Sequence, residues 1–326
     1  MTLARYIVRR TIYTLLLLFL IASFNFWLFE LIPGGPLQFL SGNIKSAAQI
    51  QTYIQFYGLD KPYWEQFART VYNTFTFSFI FNPHFTSFVS QRPVVDEIAW
   101  RLPNTLALLG TATVIELIIG VVLGTYAGSR RGSKFDIVSL STSLVTQSVP
   151  TFWIGIILIY IFGYALSLFP LGGIADVNAP TDFIGYSLNV AWHAVLPVTT
   201  LVIFLFGGTL LTMRSVLIDI MTEDYILTAR AKGLAERAVI FRHALRNATL
   251  PLVTIVALSL SGIFGGAIIT ETVFSWPGIG IYLLNSAVNA DFPTMNVLFF
   301  VIAFATIIGN FAADVLYAFL DPRVRV

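Results

Sequence analysis

Two carboxylates stand inside long apolar runs: Glu116 in LGTATVIELIIGVVLG and Asp314 in FAADVLYAF. A carboxylate in a membrane helix is expensive and by default marks a polar cavity or a pairing role. At Glu116 the other reading is a protonated or hydrogen-bonded group within a helix interface. Asp314 is less informative, since a side chain near a helix end can reach toward water. His84, His193 and His243 fall in different segments without metal-ligand spacing, which argues against a metal centre. No GxxxxGK(S/T), no GxGxxG after a strand, no GxSxG and no HExxH occurs, so the chain is not expected to bind nucleotide or to act as an enzyme. With no cysteine, thiolate catalysis, disulfides and cysteine metal sites are excluded.

Charge is concentrated instead in residues 224–251, DYILTARAKGLAERAVIFRHALRNATLP, where Arg230, Lys232, Arg237, Arg242, His243 and Arg246 oppose only Asp224 and Glu236. Such a run between apolar segments belongs on the cytosolic side, where loops rich in Lys and Arg are retained. Ala229, Leu234 and Ala235, then Val239, Ile240, Ala244 and Leu245, recur at spacings of three to five. That pattern predicts two short amphipathic helices hinged near Gly233, lying on the membrane face and offering one side to a partner. The interleaved apolar residues suit a structured docking element better than a polybasic tail for nucleic acid or anionic lipid. Asn247-Ala248-Thr249 matches a glycosylation sequon but falls on the cytosolic side and is read as chance.

The elements that must position these groups are membrane helices. Of 326 residues 56% are hydrophobic and 11% charged, with mean hydropathy +0.80, whereas soluble domains carry about 25% charged residues. Arg5, Arg9 and Arg10 precede an apolar run over 11–32, longer than a signal-peptide core of about 7 to 15 residues, so it is a retained first span. Further spans are expected over 103–127, 137–169, 192–213, 250–269 and 295–319, six in all. The third is overlong and holds Pro150, where a kink or an interfacial end is expected; Pro197 in the fourth is a weaker case. With the amino terminus inside, Lys and Arg number fourteen inside and five outside, which places both termini in the cytosol.

The chain therefore reads as an all-α polytopic membrane protein: 1–32 the cytosolic N-terminus and first helix, 33–101 a small extracytoplasmic subdomain, 102–319 the transmembrane domain with a cytosolic loop over 214–249, and 320–326 a cytosolic tail. In the subdomain Ser46 with Gln49 resembles a capping box before a helix reaching Tyr57, and Pro62 suits the first turn of another. Phe75, Phe77, Phe79 and Phe81 alternate as in a strand or an interfacial edge, either resting at headgroup level or docking an external partner. Gly120, Gly124 and Gly128, and Gly262 with Gly266, repeat every fourth residue and predict close helix packing. In TETVFSWPGIG, residues 270–280, Pro277, Gly278 and Gly280 forbid a continuing helix. Irregular backbone at membrane depth must be buried in protein or line a cavity, which leaves a gate, a partner contact or a structural re-entrant turn; in the first two, Glu271 is expected to face the pathway mouth or a charge on a binding partner.

RYIVRR, LIPGGP, YGLDKP, RLPNTLAL, SVPTFWIGI, the 224–251 stretch, TETVFSWPGIG and the terminal LDPRVR occur in that order. Through these motifs the chain resembles the inner-membrane permease subunits of binding-protein-dependent ABC importers, specifically the first permease of dipeptide, oligopeptide and nickel systems. The resemblance implies a second, similar permease, two ATPase subunits that hold the ATP and magnesium, an extracytoplasmic solute-binding protein and a lipid environment. It implies no cofactor in this chain and no nucleic acid. The solute is then a peptide, an oligosaccharide or nickel. Residues 224–251 resemble the EAA loop that docks into the ATPase, with Leu227, Thr228 and Ala229 where Glu-Ala-Ala would stand and Gly233 as the following glycine. The Glu is absent, and Gly35 stands in LIPGGP where many relatives carry an acid. Carried over, the coupling candidates are Asp224, Tyr225, Thr228, Ala229, Arg230, Ala231, Lys232, Gly233, Leu234 and Arg237; the pathway or gate candidates are Glu116, Glu271, Trp276, Pro277 and Gly278. A secondary transporter or channel would show an inverted repeat or more intramembrane charge. A membrane enzyme would need more than Glu116.

Overall fold

The computed structural model describes residues 3–30, 50–51, 54–56, 58–81, 85–248 and 267–320. In chain order the named helices are α1 (Leu3–Glu30), α2 (Tyr63–Phe75), α3 (Ser78–Phe81), α4 (Val94–Ser129), α5 (Lys134–Ser148) and α6 (Thr151–Leu158), which runs into a π-helical turn, Ile159–Ala165. After α7 (Phe183–Ile220) and α8 (Asp224–Ala231), α9 (Glu236–Ala238) runs into a second π-helical turn, Val239–Ala244; α10 (Ile268–Val273), α11 (Ile279–Val288) and α12 (Phe292–Leu320) follow. The described residues hold no strand, only an isolated bridge between Thr86 and Pro93. The expected segment over 250–269, with Gly262 and Gly266, falls almost wholly outside the described residues; Ile268 and Ile269 open α10. Gly35, the Ser46–Gln49 box and the LDPRVR tail after Leu320 also lie outside them.

Among the described residues four helices, α1, α4, α7 and α12, are long and apolar enough to cross a membrane, or five spans if α5 and α6 count as one. Two of the expected spans are too short. α4 has 36 residues and α7 has 38, which at about 1.5 Å per residue exceed a hydrocarbon core of about 30 Å. Both helices therefore continue into polar flanks, and the expected subdomain boundary at 101 falls inside α4. The expected third segment is two helices bent by 98°. Pro150, at φ −58°, stands immediately before α6, where its missing N–H costs nothing, and so separates α5 from α6.

The chain divides into two compact units. In the first, residues 1–105, 261–268 and 277–326, α1 packs on α12: the Asn25 side-chain amide donates to the Asn296 carbonyl at 3.1 Å, and Phe29 meets Phe292 edge-on at 4.8 Å. Asp314 pairs with Arg10 of α1 at 2.7 Å while its side chain stays 34% exposed. The alternating phenylalanines form no strand. Phe77 adopts φ 51° between α2 and α3, and its ring packs on Phe300 and Phe304 at 5.8 and 5.1 Å. Burial of these rings decides the backbone here, overriding the local pattern. Arg101 bonds the buried Glu97 at 3.1 and 3.0 Å and lies over the Tyr282 ring.

The second unit, residues 106–260 and 269–276, is built on α7. Gly120, Gly124 and Gly128 form a seam along α4. A Cβ at Gly120 would come within 2.7 Å of Thr209, at Gly124 within 2.7 Å of the Leu210 carbonyl, and at Gly128 within 2.9 Å of the Arg214 carbonyl. Only glycine lets the backbones approach this closely. On α5, Asp136 receives two charge-assisted bonds from Arg214, one from Nε and one from Nη2 at 2.8 Å, and also accepts from the Gly132 N–H at 2.9 Å. Ser133 caps α5 by accepting from the Asp136 N–H at 3.2 Å.

Candidate functional site

Beyond the end of α7 the chain forms a helical hairpin. α8 begins after Glu223 with Asp224 in its first turn, where a carboxylate complements the helix dipole. It ends at Lys232 and Gly233, and Gly233 adopts φ +74°, a left-handed conformation that glycine enters without steric cost. A Cβ there would meet nothing within 4 Å, so the glycine is required by the turn and not by crowding. The second arm, α9 with its π-helical turn, continues as helix through 248.

Both arms have one buried face. Ile226 and Ala229 from the first and Val239, Ala244 and Ala248 from the second close over Met213 and Leu217 of α7 in a single apolar cluster. Two amphipathic helices hinged at Gly233 is thus the arrangement present. The arms are tied at both ends: the Asn247 amide donates to the Tyr225 hydroxyl at 2.9 Å, and Arg230 donates to Glu236 at 2.7 and 3.2 Å. This bidentate pair pulls the Glu236 carboxyl below the usual carboxylate range and raises the Arg230 guanidinium, because each stabilises the other's charged form.

Of the ten coupling candidates, Asp224, Tyr225, Thr228, Arg230, Ala231, Lys232, Gly233, Leu234 and Arg237 are exposed, and Ala229 alone is buried. Leu227 at 53% and Leu234 at 41% exposure stand among these cations. Such a surface, apolar anchors within a basic field, is suited to binding a partner.

The gate candidates are arranged differently. Glu116 is buried and accepts from the Thr209 hydroxyl at 2.9 Å, one turn from Gly120, which abuts the same threonine. It therefore occupies the α4–α7 interface. Over 270–276 the chain turns sharply: Ser275 adopts φ 51°, and the Trp276 N–H donates to the Glu271 carbonyl at 2.8 Å. Glu271 and Trp276 are 0% and 1% exposed, so the expectation that Glu271 presents itself at a mouth is corrected: packing encloses it. The Gly173 N–H donates to the Phe274 carbonyl at 2.8 Å, and Gly172 lies against the same carbonyl. Further on, Pro277 offers its carbonyl to the Asn104 amide at 2.9 Å, and the Ile279 N–H at the start of α11 donates to Thr105 Oγ1 at 2.8 Å. Asn104 and Thr105 stand in RLPNTLAL, and neither was singled out as a site residue; the broken backbone at 277–279, which needs side-chain partners, was the signal available. Asp136 and Arg214 also escaped notice, because each alone reads as an ordinary charge near a helix end.

The comparisons agree with one another. Residues 120–326 match the family described as binding-protein-dependent transport system inner membrane component, and residues 3–109 match its N-terminal companion, binding-prot-dependent transport system membrane comp, N-term. The oligopeptide transport system permease protein AppB of Bacillus subtilis (strain 168) is 35% identical over 323 residues, 99% of each chain. The probable D,D-dipeptide transport system permease protein DdpB of Escherichia coli (strain K12) is 34% identical, over 92% of this chain and 91% of its own. The dipeptide transport system permease protein DppB of the same strain is 32% identical over 94% of each. These relatives are transport permeases, and systems of this kind imply an ATPase and a solute-binding protein as partners. The chain belongs to the inner-membrane components of binding-protein-dependent transport systems and is a multi-pass permease subunit of an ABC importer in the inner membrane.

Proposed function

We propose that this permease carries short peptides and is driven through the hairpin centred on Gly233. The substrate class rests on the relatives, whose names specify oligopeptide, D,D-dipeptide and dipeptide transport. The observation that carries the coupling role is the hairpin itself: a buried face seated on the end of α7 and an exposed face of Leu227 and Leu234 set among basic side chains. A surface seated this way transmits displacement to α7, and ATP-driven closure of a partner needs such a mechanical link. In this reading ATP and magnesium are handled by two ATPase subunits, a second homologous permease completes the pathway, and a solute-binding protein delivers the peptide from outside. Six spans, with both termini and the hairpin in the cytosol, fit the charge count. The break at 270–280 is the candidate for the gate or the binding-protein contact, its buried Glu271 acting within the packing.

The chain has no cysteine, which permits a clean test. Leu227→Cys and Leu234→Cys, paired with single cysteines across the ATPase surface, are expected to form disulfides in the assembled importer. Failure of both to cross-link in an assembled, transporting complex would overturn the coupling role.

A further inference from the structure

Between the last turns of α4 and the second arm of the hairpin lies a crevice of about 470 Å³, whose apolar wall includes Val122, Ile240 and Phe241. Glu236 is the only carboxylate lining it, and Arg230 already occupies that carboxylate at 2.7 and 3.2 Å. Two lining cations have no such partner: neither Arg130 nor Arg237 forms an ion pair with any described residue, and Arg130 lies over the Tyr126 ring at 4.4 Å. Nearby Asp136 is no substitute, since Arg214 holds it. The crevice thus combines an apolar body with two uncompensated positive charges, and Arg130 is the first residue beyond the apolar span of α4. Val122, within that span, is 61% exposed, and an exposed valine at that depth is compatible with acyl chains.

We propose that this crevice binds an anionic phospholipid, with an acyl chain along Val122, Ile240 and Phe241 and the phosphate held by Arg130 and Arg237. Charge complementarity selects the anionic head, and the membrane position selects a lipid over a soluble amphiphile. A lipid seated there braces the second arm of the hairpin against α4. The proposal needs only the membrane location of the chain and is independent of the transported solute.

The test replaces Phe241 with the photoreactive p-benzoylphenylalanine in the full transporter, reconstituted in phosphatidylethanolamine vesicles with a minor share of phosphatidylglycerol. Irradiation is expected to yield a phosphatidylglycerol adduct enriched on the order of tenfold over its share of the bilayer, the scale set by two arginines near an anionic surface. Arg130→Gln with Arg237→Gln is expected to abolish the enrichment, and the two lysine variants to keep it. Lipid adducts in the bilayer ratio, an adduct to an ATPase or a second permease chain, or no adduct would each overturn the proposal.

Discussion

Two of the positive-φ turns among the described residues are built in opposite ways. At the hairpin, Gly233 at φ +74° turns in open space, and Leu227 and Leu234 beside it are exposed. At 270–276, Ser275 at φ 51° turns inside packing, with Phe274 at 2% and Trp276 at 1% exposure. A left-handed serine is strained, and such strain persists only where surrounding contacts over-determine it. The hairpin needs a glycine because nothing around the turn would compensate another residue. The first turn is built to be met by something else, whereas the second is built into its own unit.

This contrast can be broken most directly at Trp276. Removing a buried indole by Trp276→Ala is expected to cost about 3–5 kcal/mol, seen as a large fall in the thermal unfolding midpoint in detergent; an unchanged midpoint would mean that the turn is not embedded. Next is Thr105→Val, which keeps the shape and removes the oxygen that accepts from the Ile279 N–H. A buried donor left unmade costs about 1–3 kcal/mol, and the same unfolding assay reads it. At the hairpin the signs reverse. Leu234→Ala, at 41% exposure, is expected to shift stability by no more than about 0.5 kcal/mol while lowering binding-protein-stimulated ATP hydrolysis severalfold. Equal losses of stability and stimulation would dissolve the distinction.

The smallest effect belongs to the Arg230–Glu236 pair. Because the pair lowers the Glu236 carboxyl in the folded state, its contribution is complete above the ordinary carboxylate range and disappears as pH falls through the lowered value. Both groups are more than a third exposed, so solvent screening limits the pair to about 0.2–1 kcal/mol. Glu236→Gln should therefore flatten a shallow acid-side loss of hairpin helicity and leave neutral-pH stability nearly unchanged, as hydrogen exchange across 224–248 would report.

What was legible in the sequence follows from range. The hairpin was readable because its signals are local: a basic run, apolar residues at helical spacing and one glycine at the turn. The α4 seam was readable for the same reason, since Gly120, Gly124 and Gly128 repeat at one-turn intervals. The fixings of the 277–279 backbone were not, because Asn104 and Thr105 lie 173 and 174 residues from their partners. Arg214 and Asp136, 78 residues apart, form a pair that folding alone brings together. The lengths of α4 and α7 were underestimated because hydropathy marks where lipid ends, not where the helix does. The phenylalanine alternation did not become a strand because Phe77 and Phe79 pack on Phe300 of α12.

The central claim is that the Gly233 turn couples this permease to its motor, and one measurement addresses it most directly. The importer is reconstituted with wild type, Gly233→Asn and Gly233→Val, each confirmed to assemble, and binding-protein-stimulated ATP hydrolysis is followed together with peptide uptake. A β-branched residue at φ +74° costs about 1–3 kcal/mol of backbone strain, whereas asparagine tolerates the left-handed region. The expected result is loss of stimulation and uptake in the valine variant, with substantial retention in the asparagine variant. Wild-type stimulation and uptake in the assembled valine variant would contradict the claim.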